Sequence, residues 1–411
     1  MRLGRAGLLL AALAAACARG PGGALAPSDR HPVRVGLVVD RDSAVVTASG
    51  QFRVWRGEEI LAVQDAGALW RVSAGPGGRL RLQRPDRDQP LEIEGPVVVR
   101  PEQASEFVAV NGRRYRGELV LQRGSAGITV VNRVGLEGYL YSVVAAELGF
   151  RGPGDREAVK AQAVAARTFT LRFRGRREAL GFDVFATDAD QVYSGVANES
   201  PEVTEAVNAT AGQILIWRGR PIEALFHSTC GWSTEAASEV FQNRDSTPYL
   251  RAVSDRTGPG ARDFYCAISP RFRWREEWTA DELAALIGRA QPAVVTGAIG
   301  RITDVAIGST TPTGRVRELV VTTGGGRIVL SRGRLREVLR PAQQPLLWSS
   351  LFQLHVTREN GAVSRVVLAG AGYGHGVGMC QYGAVGRSRA GRSYREILAA
   401  YYHDAQLVQV N

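Results

Sequence analysis

From Val33 to Arg133 apolar and polar residues alternate in short runs, VRVGLVV, FRVW, RLRLQ, LEIE, GELVLQ and GITVVNRV, separated by Gly and Asp clusters. A period of two marks half-buried strands and the separators are turn formers, so this stretch reads as strand-rich. The period then changes. In LEGYLYSVVAAELG, Leu136, Leu140, Val143 and Val144 recur at helical spacing, and Gly149 stands where a C-cap glycine belongs. A second helix follows, with Asp155 as N-cap after Pro153, Glu157 in its first turn, and Ala161, Val164, Ala165, Thr168 and Phe169 on one face. Lys160, Gln162 and Arg167 lie off that stripe and are expected on a solvated polar face. Strands return at Gln213 to Ile216 and Ile222 to His227. Thr279 and Asp281 cap a helix through ELAALIG, and ITDVAIG, RELVVTT and GRIVL then read as hairpin strands. Near the end, Gly370, Gly372, Gly374, Gly376 and Gly378 alternate with larger residues, which predicts a strand with one bare face that a polymer can approach. A helix from Tyr394 to Tyr402 closes the chain. The fold class is α+β.

Composition narrows the function classes. With 411 residues, 45% hydrophobic and 22% charged, the chain builds two to three globular domains, not a disordered, collagenous or polytopic membrane protein. Arg2 and Arg5 precede the small apolar run Ala6 to Ala16, the pattern of an export signal. Leu13-Ala14-Ala15-Ala16-Cys17 predicts a lipoprotein signal with lipid on Cys17, and ordinary cleavage nearby is the alternative; both put the mature chain outside the cytoplasm. The net charge of +11, almost all of it arginine, suits nucleic acid, anionic lipid or acidic envelope polymers. Export removes nucleic acid from the expected partners.

One carboxylate is out of place. The Leu136 stripe extended by one turn arrives at Glu147, so an ionisable group falls on the buried face and in the last turn, where the helix dipole disfavours negative charge. Desolvation and dipole both raise its pKa, as a general acid near neutral pH requires.

The run from Val134 to Leu171, with LEGYLYSVVAAELG followed by EAVKAQAVAARTFTL, resembles the SpoIID/LytB family of bacterial cell-wall proteins. Three further blocks agree in family order: DADQVYSG, TAGQILIWRGRPIEALFHSTCGWSTE, and GYGHGVGMCQYGAVG with YREILAAYYHDAQL. The resemblance implies chemistry on peptidoglycan. Sporulation members are lytic transglycosylases that cleave between N-acetylmuramic acid and N-acetylglucosamine without water, leaving an anhydro-muramyl end, and their catalytic glutamate matches Glu147. Other members enhance cell-wall amidases, which implies a non-catalytic glycan grip as the alternative. The expected partners are therefore peptidoglycan strands, a cell-wall amidase and, through the lipid, the membrane.

On this reading the chain divides into 1–17, a signal; 18–32, a tether; 33–133, the strand-rich part; 134–278, the core catalytic region; 279–351, an inserted α+β subdomain; and 352–411, the glycine-rich strand and helix completing a cleft. With Cys17 taken by lipid, Cys230, Cys266 and Cys380 remain, and three thiols cannot all pair. His227 and Cys230, three residues apart after a strand, together with Cys266, supply three ligands for a structural zinc, which some family members place at the corresponding histidine and nearby cysteines. A Cys230–Cys266 disulfide is the competing reading, and Cys380 is then a buried thiol or the missing ligand. The acid/base chemistry itself requires no cofactor. His375, Gln381, Tyr193, Gly374 and Gly376 are the expected substrate-binding residues, with Trp232 and Tyr382 as further stacking candidates.

Overall fold

The computed structural model describes residues 32–84, 87–241, 247–290 and 299–410. The expected signal, Cys17 and all but the last residue of the tether lie outside the described residues. The α+β class holds.

The strand-rich region folds into two sheets. One orders its strands Val184–Phe185, Val33–Arg41, Ile128–Val134, Glu118–Arg123, Val97–Pro101, Phe52–Arg56 and Glu59–Gln64; the other runs from Arg113–Tyr115 through Ser43–Ala48 to Leu91–Ile93. Alternation explains the packing. In Ser43–Ala48 the residues Ala44, Val46 and Ala48 are buried while their neighbours are less so, and in Phe52–Arg56 the inward pair is Phe52 and Val54. The inward faces meet in one apolar cluster with Val35, Val72, Leu82, Val97 and Leu121.

That cluster continues into the helices, from Val33 as far as Tyr402, with no break at residue 133. Helix α1, Leu136–Glu147, and helix α2, Arg156–Phe173, lie at its centre. Helix α2 packs against α1, against the helices Pro201–Asn208, Gln381–Arg389 and Tyr394–Tyr401, and against the strand Gln213–Trp217. A helix surrounded in this way has no solvated face. Arg167 and Gln162 are accordingly fully buried, contrary to the expectation of a polar outer face, and only Lys160 stays half-exposed, paired with Glu157. Arg167 is satisfied by Glu137, at 2.8 Å from Nε and 2.6 Å from Nη2, and by the carbonyls of Gln213 and Val207.

A second apolar cluster is built from Trp274 to Leu368, extending beyond 279–351 at both ends. Its strands are Arg273–Thr279, Phe352–Glu359 and Ala362–Ala371 in one sheet and Ile302–Thr310, Val316–Thr323 and Gly326–Ser331 in another. Thr279 and Glu282 form a complete capping box at the start of Ala280–Arg289.

Only Gly370 of the glycine run lies in a strand. The strand ends at Ala371, and Gly372, Gly374, Gly376 and Gly378 all take positive φ, between 73° and 112°. They turn the chain repeatedly against its neighbours: a Cβ at Gly378 would lie 2.0 Å from the Leu225 carbonyl oxygen, and one at Gly374 2.8 Å from His227 Cβ. Alternating glycines therefore serve close approach of other parts of the chain, backbone and side chain, not a bare sheet face.

Candidate functional site

Helix α1 carries its apolar stripe into the core and ends where that stripe reaches Glu147. Gly149, at φ 70°, closes the helix by donating its N–H to the Val144 carbonyl at 3.0 Å. Glu147 is half-buried, and Oε1 accepts the N–H of Val192 at 2.9 Å. The Gln381 amide lies beside the carboxyl and also favours its charged form, although Nε2 stops short of a full hydrogen bond. Burial outweighs both, and the negative charge of Asp188 adds to it, so the pKa of Glu147 is raised above the ordinary carboxyl value.

Segments far apart in the chain meet around this carboxyl to enclose a cleft of about 620 Å³. The end of α1, the 188–192 loop, Phe226 to Ser228, Tyr373 to His375, and Gln381 with Tyr382 supply its walls. Phe169, Phe226, Phe241 and Tyr382 give it aromatic surface, Arg151 covers the Tyr382 ring at 5.3 Å, and Arg176 and Asp188 add charge. A protonated carboxyl among aromatic rings is suited to binding sugar faces and delivering a proton to an oxygen between them.

Of the expected binding residues, Gln381, His375, Gly374 and Tyr382 line the cleft. His375 does so with both nitrogens occupied: Nε2 meets the Phe226 carbonyl at 2.9 Å and Nδ1 accepts the Val377 N–H at 3.1 Å. That pairing fixes a neutral ring, and burial holds its pKa well below the usual histidine value. Tyr193 is a correction. It is buried between Tyr115 and Tyr139, with its hydroxyl on Asn132 Oδ1 at 2.8 Å, and does not reach the cleft. Gly376 also lies elsewhere, against the Arg315 guanidinium, and Trp232 donates to the Thr313 carbonyl.

The cysteines assemble differently from the expected set. Parallel pairing of Phe226–His227 with Met379–Cys380 brings Cys380 beside Cys230, whose N–H donates to Cys380 Sγ at 3.2 Å. Cys230, Cys266, Cys380 and Asp255 offer ligand atoms within 4.8 Å of one another, all buried. His227 is not in this group. Its Nδ1 donates to the Val377 carbonyl at 3.1 Å, leaving Nε2 buried without a partner, and burial pushes its pKa down to about 4. The three cysteines are unbridged, with Cys230 and Cys266 sulfurs 3.5 Å apart. Burial raises the Cys230 thiol, and the hydrogen bond to Cys380 together with burial raises that of Cys266, whereas at Cys380 burial is outweighed by hydrogen bonds from both, which hold it well below its ordinary value. Burial and the Cys380 charge lift Asp255 to about 6. One low-pKa sulfur among three and a carboxylate is a donor set that fits zinc.

Sequence reasoning missed the Val192 N–H, because a backbone donor leaves no signal in side-chain identity. It also missed Asp255, which lies 11 residues from Cys266 in a segment with no metal-ligand spacing of its own.

The chain matches known families and proteins over most of its length. A family model described as Stage II sporulation protein matches residues 124–217, and a second, a domain of unknown function (DUF8618), matches 260–378. An uncharacterized protein of Brachyspira hyodysenteriae is 32% identical over 304 residues, 74% of each chain. Stage II sporulation protein D of Bacillus subtilis is 30% identical over 296 residues, 68% of this chain and 76% of that one. The amidase enhancer of Bacillus subtilis is 30% identical over 271 residues, 60% of this chain but only 37% of that longer protein. The chain belongs to the stage II sporulation protein D family.

Proposed function

We propose that this protein acts on the cell wall as a lytic transglycosylase, cleaving peptidoglycan strands between N-acetylmuramic acid and N-acetylglucosamine with Glu147 as its single acid and base. The observation that carries the reading is the raised pKa of Glu147 on the wall of an aromatic-lined cleft. Membership of a family whose named relatives include a stage II sporulation protein D supports the cell-wall setting.

The steps balance with one carboxyl. Glu147 gives its proton to the departing glycosidic oxygen, and the positive charge that develops on the muramyl ring is met by the carboxylate so formed. The ring's own C6 hydroxyl then closes on C1, and its proton returns to Glu147. No water enters, and the carboxyl ends as it began. The Val192 N–H holds the carboxylate between the two transfers, and burial favours the neutral form that the returning C6 hydroxyl proton restores.

A second reading has its own support, since the amidase enhancer is equally similar at 30% identity. In that role the cleft grips glycan and a cell-wall amidase does the cutting. Incubating purified peptidoglycan with the protein alone separates the two: soluble fragments with anhydro-muramyl ends support cleavage, and bound but intact strands support the enhancer.

Two attendant proposals concern the chain's setting. Cys230, Cys266, Cys380 and Asp255 hold a structural zinc that ties three distant segments behind the cleft; about one zinc per chain, lost in Cys380→Ser, supports this, and a metal-free protein with a Cys230–Cys266 disulfide overturns it. Export followed by lipid attachment at Cys17 places the domain at the membrane facing the wall, which the mass of the mature N-terminus tests.

A further inference from the structure

A second cavity, of about 370 Å³, adjoins the Glu147 cleft and shares Phe241 and His375 with it. Its distinguishing feature is a pair of arginines, Arg315 and Arg336, that form no ion pair among the described residues. Arg315 follows a tight turn in which the Thr311 N–H donates to the Arg315 carbonyl, and its side chain is fully buried, admitted because Gly376 has no Cβ where the guanidinium lies. Nη2 donates to the carbonyls of Cys230 and Ser233 at 2.9 and 3.1 Å, but Nε and Nη1 have no partner among the described residues.

Arg336 lines the same cavity. It donates to the carbonyls of Leu347 and Trp348 at 2.8 and 3.2 Å, and neither it nor Arg315 forms an ion pair among the described residues. Burial pushes Arg336 down to about 10, with the charge of Arg315 adding to the effect. The contrast is Arg317, a third lining arginine, which is paired with Glu239. Glu235 and the cysteine cluster offset some of the Arg315 charge at a distance, yet both Glu235 oxygens are already occupied by Thr313 Oγ1 and the Ala236 N–H.

Buried guanidinium groups without a counter-ion are costly to keep, and they persist where a ligand supplies the anion. Val240, Phe241 and Val316 add apolar surface beside the charge, and the Arg317-paired Glu239 lines it too, with Thr311, Ser350 and His375. We infer that this cavity is a carboxylate subsite of the glycan cleft, in which Arg315 and Arg336 receive a carboxylate carried next to a methyl group on the bound strand. The inference rests on the proposed action on peptidoglycan. Two positions on that polymer have this chemistry, the lactyl group of a peptide-free muramic acid and the terminal alanine of a stem peptide.

The test perturbs the ligand first, because Arg315 also supports the Cys230 backbone. Four glycan oligomers are titrated calorimetrically into the full chain carrying Glu147→Gln: peptide-free strands with the lactyl carboxylate free or amidated, and peptide-bearing strands with the terminal carboxylate free or amidated. The subsite predicts binding about tenfold tighter for the free acid of one pair, the worth of a charge-assisted hydrogen bond, and the pair that discriminates names the source. Arg336→Gln removes that difference while the amidated oligomer still binds. Equal affinities within both pairs, or discrimination that survives Arg336→Gln, overturn the subsite and leave the glycan reading intact. Failure of all four oligomers to bind overturns both.

Discussion

The backbone N–H of Val192 donates to Glu147 Oε1 at 2.9 Å, and it is the one full hydrogen bond the carboxyl receives among the described residues. A carboxylate at a helix C-terminus, half-buried and near Asp188, is held by less than it needs, so burial decides its protonation. The same loop thus supplies a donor that steadies the charged form and an acid that disfavours it.

The stability of Glu147→Gln follows from this balance. Because the folded-state pKa is raised, the contribution of Glu147 to stability is full below the ordinary carboxyl value and lost as pH rises through the raised one. Thermal melts across that window should show the variant gaining on the wild type as pH increases. A variant that loses ground with rising pH would mean that the carboxylate is the stabilised form.

Cleavage should respond to pH in the same direction. The acid form of Glu147 starts the reaction, so the rate at saturating substrate should fall as pH rises through its raised pKa. A rate that climbs steadily with pH through the neutral range would indicate that Glu147 begins as a base.

How much of this was legible depended on whether the cause was local. The stripe from Leu136 to Val144 and the cap at Gly149 located Glu147 and its desolvation, because helix periodicity and the C-terminal turn are short-range properties. Thr279 and Glu282 were readable for the same reason. Gln162 and Arg167 were misread because sequence shows one stripe on α2, whereas tertiary packing closes on every side of it. Tyr193 was misplaced because an aromatic beside small residues looks alike in a core and on a cleft wall. The glycine run imitated a strand by alternation, whereas four of its five glycines take positive φ because distant segments, backbone or side chain, press on them. Cys380 meets Cys230 through pairing across 150 residues, and Asp255 enters from a loop with no ligand spacing of its own, so no spacing rule assembles the four.

Arg167→Met tests the reading of α2. Removing a fully buried cation strands Glu137 beside apolar surface and leaves two carbonyls unpaired, which costs about 3 to 5 kcal/mol by denaturant unfolding. A loss under about 1 kcal/mol would place the pair in effective contact with water.

Gly378→Ala should destabilise more than Gly391→Ala, although both glycines have positive φ, 73° and 80°. Gly391 has open space around it, so its change costs only the conformational strain of about 1 kcal/mol. At Gly378 the new methyl meets the Leu225 carbonyl and the segment must move, adding about 1 to 3 kcal/mol. Equal melting temperatures for the two variants would show that the packing there yields freely.

Cleavage of purified peptidoglycan in ¹⁸O-labelled water, with wild type and Glu147→Gln compared by mass spectrometry, tests the central claim most directly. The account predicts new anhydro-muramyl ends without label for the wild type, and a loss of roughly 100-fold or more in the variant. Labelled reducing ends would contradict it by showing hydrolysis, and intact strands with wild-type protein would contradict cleavage altogether.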